Sequence, residues 1–353
     1  MRIVVAMSGG VDSSVAAALL AQQGHDVIGL SMQLYDQTDG QRQFGSCCTL
    51  DDLYDARRVA ASLGIPHYIV NFEQKFQETV VSDFFREYAA GRTPIPCVHC
   101  NGDLKFATLV ERAAGFGAEC VATGHYARVE RDEGTGRYRL RRGVDAAKDQ
   151  SYFLFTLTQA QLARAVFPLG ALDKTAVRAE ARALDLAVAE KPDSHEICFV
   201  PGGDHATFLQ QHGIRASGGE VRDLSGRVVG THTGVHRFTV GQRKGLGLSS
   251  SIPLYVVAID ADANAVTVGP RAALEKRELT ASGVNWISGQ PPTSGARITA
   301  QIRHRHKEAS ATVAPVDGGR VAVIFDEPQA AIAPGQALVM YSDDEVLGGG
   351  WID

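Results

Sequence analysis

The stretch Met7-Ser8-Gly9-Gly10-Val11-Asp12-Ser13-Ser14 limits what this chain can fold into more than any other. A short apolar run, Ile3 to Met7, leads into it, and Val11, Val15 and Leu19 then recur at helical spacing until Gly24. The pattern is strand, tight turn, helix. Two glycines let the backbone bend sharply and leave amide N–H groups uncovered. The following helix turns its own unpaired N–H groups and partial positive charge toward the same point. An anion belongs there. The absence of a Gly-Lys-Ser/Thr ending argues against a Walker loop.

The order Ser-Gly-Gly-Val-Asp-Ser resembles the pyrophosphate-binding loop of ATP pyrophosphatases, which cleave ATP to AMP and pyrophosphate and pass the adenylyl group to a substrate oxygen. The remaining sequence reads as alternating strands and helices. Val27 to Tyr35 and His67 to Phe72 read as strands, with a helix from Asp51 to Leu63 between them. Phe76 to Tyr88 and Leu104 to Ala114 have helical spacing, and Glu119 to His125 is a fourth strand. A doubly wound parallel sheet follows, with ligands gathered at the carboxyl ends of its strands. The polar residues 36 to 49 read as a mobile cover or as a plain surface loop.

Arg128 to Val144 reads as a hairpin, and Thr158 to Ala165 and Lys174 to Leu184 as helices, the second capped by Asp173. After Cys198 the rhythm changes to glycine and short β-branched runs, among them Val228 to Val229, His236 to Val240, Tyr255 to Ile259 and Ala265 to Val268. From about residue 275 it is all strand: Leu279 to Trp286, Ala296 to His304, Ala309 to Val316, Arg320 to Phe325 and Gln336 to Tyr341. A small antiparallel β-barrel closes such strands. Three domains are expected, at 1–204, 205–270 and 271–353.

The 353 residues, 44% of them hydrophobic, suffice for several cores. No apolar run approaches the ~20 residues needed to span a bilayer, so a cytoplasmic protein without membrane contact is expected. A net charge of −5 gives no global sign of nucleic-acid binding; an RNA partner would need local basic patches, and no DNA partner is expected. All six cysteines, at 47, 48, 97, 100, 120 and 198, lie in the first 200 residues, unlike a secreted disulfide framework.

Thr93-Pro94-Ile95-Pro96-Cys97-Val98-His99-Cys100-Asn101 reads as a stiff loop with Asn101 capping the next helix. Cys100 would then sit just before a helix N-terminus, where the dipole lowers a thiol pKa from about 8.5. Cys198 follows the polar run Asp193 to Glu196. Cys120 reads as core, and the Cys47-Cys48 pair has no assigned role. Cys97, Cys100 and Cys198 admit three readings: ligands of an iron-sulfur cluster such as [4Fe-4S], a zinc site, or a dithiol relay.

Further strings extend the likeness across the chain: Cys47-Cys48 with Asp55-Ala56-Arg57, Thr123-Gly124-His125-Tyr126-Ala127-Arg128, and Lys148-Asp149-Gln150-Ser151-Tyr152-Phe153-Leu154. They continue with Ser194 to Phe199, Phe238 to Leu246, Pro334-Gly335-Gln336 and Leu347-Gly348-Gly349-Gly350. Together they resemble the tRNA-specific 2-thiouridylases of bacteria and organelles. The resemblance implies a tRNA-uridine 2-sulfurtransferase that adenylates the C2 oxygen of the wobble uridine and replaces that oxygen with sulfur. It implies ATP held by Ala6, Met7, Ser8, Gly9, Gly10, Val11, Asp12 and Ser13, with Met32 and Gly124 lining the adenosine pocket, and Mg²⁺ on the phosphates with help from Asp12.

By the same resemblance Cys198 carries a persulfide received from a sulfurtransferase or cysteine desulfurase. Cys100 attacks it, leaving a Cys100–Cys198 disulfide for a reductant to open. A base stacked in the anticodon stem-loop must be splayed out to be reached. Ile95, Pro96 and Cys97 align with base contacts, and His125, Lys148, Asp149, Gln150, Arg303, His304 and Gln336 with tRNA contacts. Arg303 to Lys307 is the densest basic run; on a barrel strand it fits either phosphate contacts or a charge-protected edge. Two departures stand out. Ile95-Pro96-Cys97 replaces the family's Asn-Pro-Asp, which exchanges an acid for a third thiol and keeps the cluster-dependent version of the reaction open. His195 replaces a usual Gln. Another adenylating ATP pyrophosphatase is the rival reading, although it would have no use for Cys100 and Cys198.

Overall fold

A computed structural model describes residues 1–34, 49–193, 197–214, 217–316 and 318–353. Cys47, Cys48, all of the segment expected at 36 to 49 except Thr49, and His195 within 194–196 lie outside the described residues. Strands β1 (Arg2–Ala6), β2 (Asp26–Gln33), β3 (His67–Asn71), β4 (Cys120–Ala122), β5 (Ala127–Arg131), β6 (Tyr138–Arg142) and β7 (Ala165–Val166) open the chain. All but β5 and β6 form one parallel sheet, ordered β3-β2-β1-β4-β7. Chain order reverses beside β1, so the crevice of this sheet opens at the end of β1, where residues 7 to 10 turn.

The local chemistry explains the elements. Ile3, Val4 and Val5 are fully buried because helices cover both faces of β1. Helix Val11–Gln22 packs through Val15, Ala16, Ala17 and Ala18. Helix Leu50–Ser62 starts on a capping box in which Thr49 accepts from the Asp52 N–H at 3.1 Å and donates its own N–H to Asp52 at 2.8 Å. The helix expected from Thr158 is shorter, Gln159–Leu162, because Ala165 and Val166 leave it to extend the sheet beside Val121 and Ala122.

The second sheet, ordered β10-β11-β8-β9, comprises β8 (Gly219–Arg222), β9 (Val228–His232), β10 (Tyr255–Asp260) and β11 (Ala265–Gly269). His236 to Val240 is not a strand: Val235–Arg237 forms a 3-10 turn after Gly234. The third sheet contains β12 (Glu275–Trp286), β13 (Ala296–Gln301), β14 (Ala309–Val316), β15 (Arg320–Ala330), β16 (Ala337–Ser342) and β17 (Glu345–Ile352). Its order is β12-β15-β14-β13-β16-β17, and β17 pairs back to β12, closing an antiparallel barrel.

Strand β17 lies beyond the last strand expected from the sequence, Gln336 to Tyr341, and carries three consecutive glycines, Gly348-Gly349-Gly350. Here the glycines admit close neighbours. A Cβ on Gly349 would lie 2.6 Å from the Leu338 carbonyl oxygen and from the Phe155 ring, and one on Gly350 would lie 2.8 Å from the Ser282 carbonyl oxygen. The barrel is joined to the N-terminal region at the same edge. β17 pairs with β6, Asp344 accepts from Arg128 and Arg141 at 2.6 Å each, and Asn285 donates to the Phe155 carbonyl at 2.6 Å.

Gly349→Ala should therefore destabilise the protein by roughly 1–3 kcal/mol, the range for overpacking. Urea unfolding checks this; an unchanged midpoint would show that the contact with Leu338 and Phe155 relaxes freely.

Candidate functional site

The loop after β1 is shaped by its serines. The Ser8 N–H donates to Ser13 Oγ at 3.1 Å, and Ser13 and Ser14 hydroxyls donate to the Gly10 carbonyl at 3.2 and 2.8 Å. Gly9 has φ +74°, and a Cβ there would lie 2.1 Å from the Asp52 carbonyl oxygen. Gly124, just after β4, also approaches closely, its notional Cβ 2.7 Å from the Ser13 nitrogen. Gly10 precedes helix Val11–Gln22 without a side-chain cap, so the first N–H groups of that helix face the loop.

Charge then joins this loop to distant chain. Lys174 Nζ lies 2.8 and 2.9 Å from the two Asp12 oxygens and 2.7 Å from Asp193. Lys148 also reaches Asp193 at 2.7 Å, and Tyr126 donates its hydroxyl to Asp12 at 2.8 Å. On the other side Lys191 donates to the Gly9 carbonyl at 3.0 Å and to Asp52 and Asp55 at 2.6 Å each. Burial pushes the Asp193 carboxyl up, but hydrogen bonds from Lys148 and Lys174 outweigh it and hold the group at about 2. Burial and the adjacent Asp12 raise the Tyr126 phenol, which therefore stays a donor.

One cavity of about 1000 Å³ opens over this loop. Ala6, Met7, Ser8, Gly10, Val11, Asp12, Ser13, Met32 and Gly124 line it; Gly9 lies behind them. Pro96, Cys97, Cys100 and Cys198 line the same cavity, as do His125, Lys148, Asp149, Gln150 and His304. Cys100 is buried, Cys198 is half-buried and Cys97 is exposed. Cys100 belongs to an apolar cluster with Phe76, Val80 and Phe199, against which Cys198 packs. His125 is neutral: burial, aided by Lys105, pushes its imidazole down to about 3, and its Nδ1 lies 2.7 Å from Thr123 Oγ1.

Several residues stand in settings other than those expected. Residues 96–115 form a single helix, starting at Pro96 and passing through a π segment, Cys100–Phe106. Proline suits the first helical position, where no N–H is needed. Cys100 is therefore inside the helix, Asn101 caps nothing, and the dipole argument for Cys100 falls. The basic run 303–307 is a loop after β13, turned by the Gln301 side chain donating to the His304 carbonyl at 2.6 Å. His304, Arg305, His306 and Lys307 line the cavity, whereas Arg303 donates to the Ala330 carbonyl at 3.1 Å.

Ile95 is core, packed among Val98, Phe106 and Phe155. Gln336 donates to the Thr93 and Pro94 carbonyls at 3.0 and 3.3 Å, so it braces the loop before Pro96. Finally, no three histidine, cysteine or acidic side chains among the described residues are grouped to hold a metal ion. Cys97, Cys100 and Cys198 do not fit a cluster. Lys174, Lys191, Asp193 and Asp52 were missed, because lone charges 40 to 180 residues from the loop carry no local signal.

Three family models match the chain in series: a tRNA methyl transferase HUP domain over residues 1–202, a tRNA methyl transferase PRC-barrel domain over 206–270, and an aminomethyltransferase β-barrel domain over 276–352. A tRNA-specific 2-thiouridylase MnmA of Geotalea uraniireducens is 53% identical over 100% of this chain and 95% of its own length. That of Solibacter usitatus is 53% identical over 99% of each. Among solved structures, a 4-thiouridine synthetase–RNA complex with bound ATP matches 60% of this chain and 50% of its own at 17% identity and a TM-score of 0.36, a likeness too slight to carry argument.

The depressed Asp193 carboxyl contributes stability that is complete above the unfolded value of about 3.9 and is lost as pH falls through about 2. Discounted for partial exposure, that is about 1 kcal/mol. Asp193→Asn should be less stable than wild type at neutral pH, and urea midpoints should converge as pH is lowered toward 2. A gap that stays constant with pH would refute the pairing.

Proposed function

Because the chain belongs to the tRNA-specific 2-thiouridylase MnmA family, we propose that it catalyses the ATP-dependent 2-thiolation of the wobble uridine of tRNA. The observation that carries this reading is that the loop Ser8 to Ser13, the thiols Cys100 and Cys198, and the basic loop His304 to Lys307 border one cavity. A nucleotide, a sulfur and an RNA strand can meet there.

ATP phosphates would lie against the uncovered N–H groups of the loop and the start of helix Val11–Gln22, with adenosine between Met32 and Gly124. The C2 oxygen of an extruded uridine attacks the α-phosphorus, pyrophosphate leaves, and the oxygen becomes part of an adenylate ester. Both Asp12 oxygens are engaged by Lys174 and Tyr126, so the residues do not form a resident Mg²⁺ cage; Mg²⁺ belongs to the nucleotide substrate. His125, held neutral, can hydrogen-bond a base or phosphate without adding charge.

A sulfurtransferase or cysteine desulfurase in the cytoplasm would load Cys198 as a persulfide. Cys100 thiolate attacks the inner sulfur, a Cys100–Cys198 bond forms, and hydrosulfide leaves with the electron pair of the broken S–S bond. Hydrosulfide adds to C2 and AMP departs with the original oxygen. Alternatively the persulfide adds to C2 first, and Cys100 then frees the thiouridine with the same disulfide as product. An external dithiol reduces that disulfide. That Cys100 and Cys198 border one cavity supports this relay.

Wild type, Cys100→Ser and Cys198→Ser proteins, given ATP, a persulfide donor and unmodified tRNA, test the reading by nucleoside mass analysis. Either substitution should lower 2-thiouridine at least a hundredfold, about 2.7 kcal/mol in barrier. Unimpaired turnover of either variant would eliminate the relay.

A further inference from the structure

Cys198 lies at the cavity wall on a short turn, closed by the Val200 N–H donating to the Ile197 carbonyl at 3.0 Å. A turn that short does not by itself fix where a side chain points. The next residue supplies a second constraint. Phe199 is 8% exposed, and three other aromatic rings surround it: Phe84 at 5.1 Å and 82°, Phe76 at 5.5 Å and 79°, and Phe208 at 5.7 Å and 61°. Edge-to-face contacts of this kind depend on ring orientation as well as on buried area. A ring held from three sides cannot slide or rotate without losing all three.

These partners lie in separate parts of the chain. Phe76 and Phe84 stand on the helical run 73–89 beside β3, and Phe76 itself lines the cavity. Phe208 stands on helix His205–Gln211, in the segment that matches the PRC-barrel model, and also packs on Phe85 at 5.8 Å. The residue beside Cys198 is thus gripped from the nucleotide-binding part and from the segment that follows it.

We propose that Phe199 is the positioning residue of the sulfur step, a ring anchored by Phe76, Phe84 and Phe208 that holds Cys198 within reach of Cys100 and the reacting carbon. This inference rests on the relay reading above. It gives helix His205–Gln211 a part in sulfur transfer although none of its residues lines the cavity. Adenylation uses the loop Ser8 to Ser13, none of whose residues belongs to the apolar cluster that holds these rings, although Ala6 and Met32 at its margin do. A displaced Cys198 therefore slows the second chemical step and spares the first, since attack geometry tolerates little error.

The test uses full-length protein loaded with inorganic polysulfide, freed of excess reagent by gel filtration, and mixed with ATP and unmodified tRNA in a single turnover. Pyrophosphate release reports adenylation; 2-thiouridine reports sulfur transfer. Phe199→Leu should keep pyrophosphate release within twofold of wild type and cut 2-thiouridine at least tenfold. Phe208→Leu, which leaves the residue beside Cys198 intact, should cut it severalfold. Sodium sulfide supplied in excess, attacking the adenylate directly, should restore thiolation in both variants. Equal losses of pyrophosphate and 2-thiouridine would mark Phe199 as mere core, and no loss in either variant would overturn the proposal as well. A wild type that releases pyrophosphate and makes no 2-thiouridine would instead defeat the relay reading itself.

Discussion

The site depends on an alternation of charge: Asp12, Lys174, Asp193, Lys148. Asp12 and Asp193 come from opposite ends of the nucleotide-binding sequence, and Lys174, between them, bonds both. Without that ammonium two carboxylates would face each other across a cavity wall, where partial desolvation strengthens repulsion. Lys191 makes a second tie, reaching the Gly9 carbonyl while holding Asp52 and Asp55. Burial lowers its pKa and the two carboxylates raise it further, so the net shift is upward and the ammonium persists. Residues 191 and 193 are therefore fixed to the phosphate loop from both sides, a few positions before Cys198.

Close backbone approach complements the ion pairs. Gly9 meets the Asp52 carbonyl, Gly124 meets the start of helix Val11–Gln22, and Gly349 meets β16 and Phe155. At each place a side chain would force apart two elements that the site needs together. The same Asp52 that crowds Gly9 caps its own helix with one carboxylate oxygen and receives Lys191 with the other. Local helix chemistry and tertiary electrostatics thus meet on one residue.

Much of this was legible in the sequence, for physical reasons. The parallel sheet shows as apolar runs of strand length, and the loop Ser8 to Ser13 shows as glycines between a strand and a helix, patterns that need no partner to be recognised. The barrel strands β14 and β16 were placed within a residue by their apolar alternation. What failed depended on neighbours. β17 shows no apolar alternation at its glycines, which answer instead to Phe155 and Leu338. Pro94 and Pro96 hid the helix start, since proline ends one helix and begins another with equal ease. Lys174 and Lys191 have no local motif around them and acquire their roles only where the fold brings them to Asp12 and Gly9.

The cavity is chemically unequal along its length, and the inequality matches the two halves of the reaction. Around Asp12, Lys148 and Lys191 it is ionic, suited to a polyanion whose charge must be balanced while pyrophosphate departs. Cys100 and Cys198 instead pack in an apolar cluster with Leu34, Phe76, Val80 and Phe199, all of which line the cavity. A persulfide carried there, as the proposed relay requires, would be flanked by apolar side chains on one side. The opposite arrangement would serve neither step: phosphates on an apolar wall would stay in solvent, and a persulfide among lysines and water would be open to loss. Both environments in one cavity would let a single extruded base pass from adenylation to thiolation without leaving it, as the proposed reaction requires.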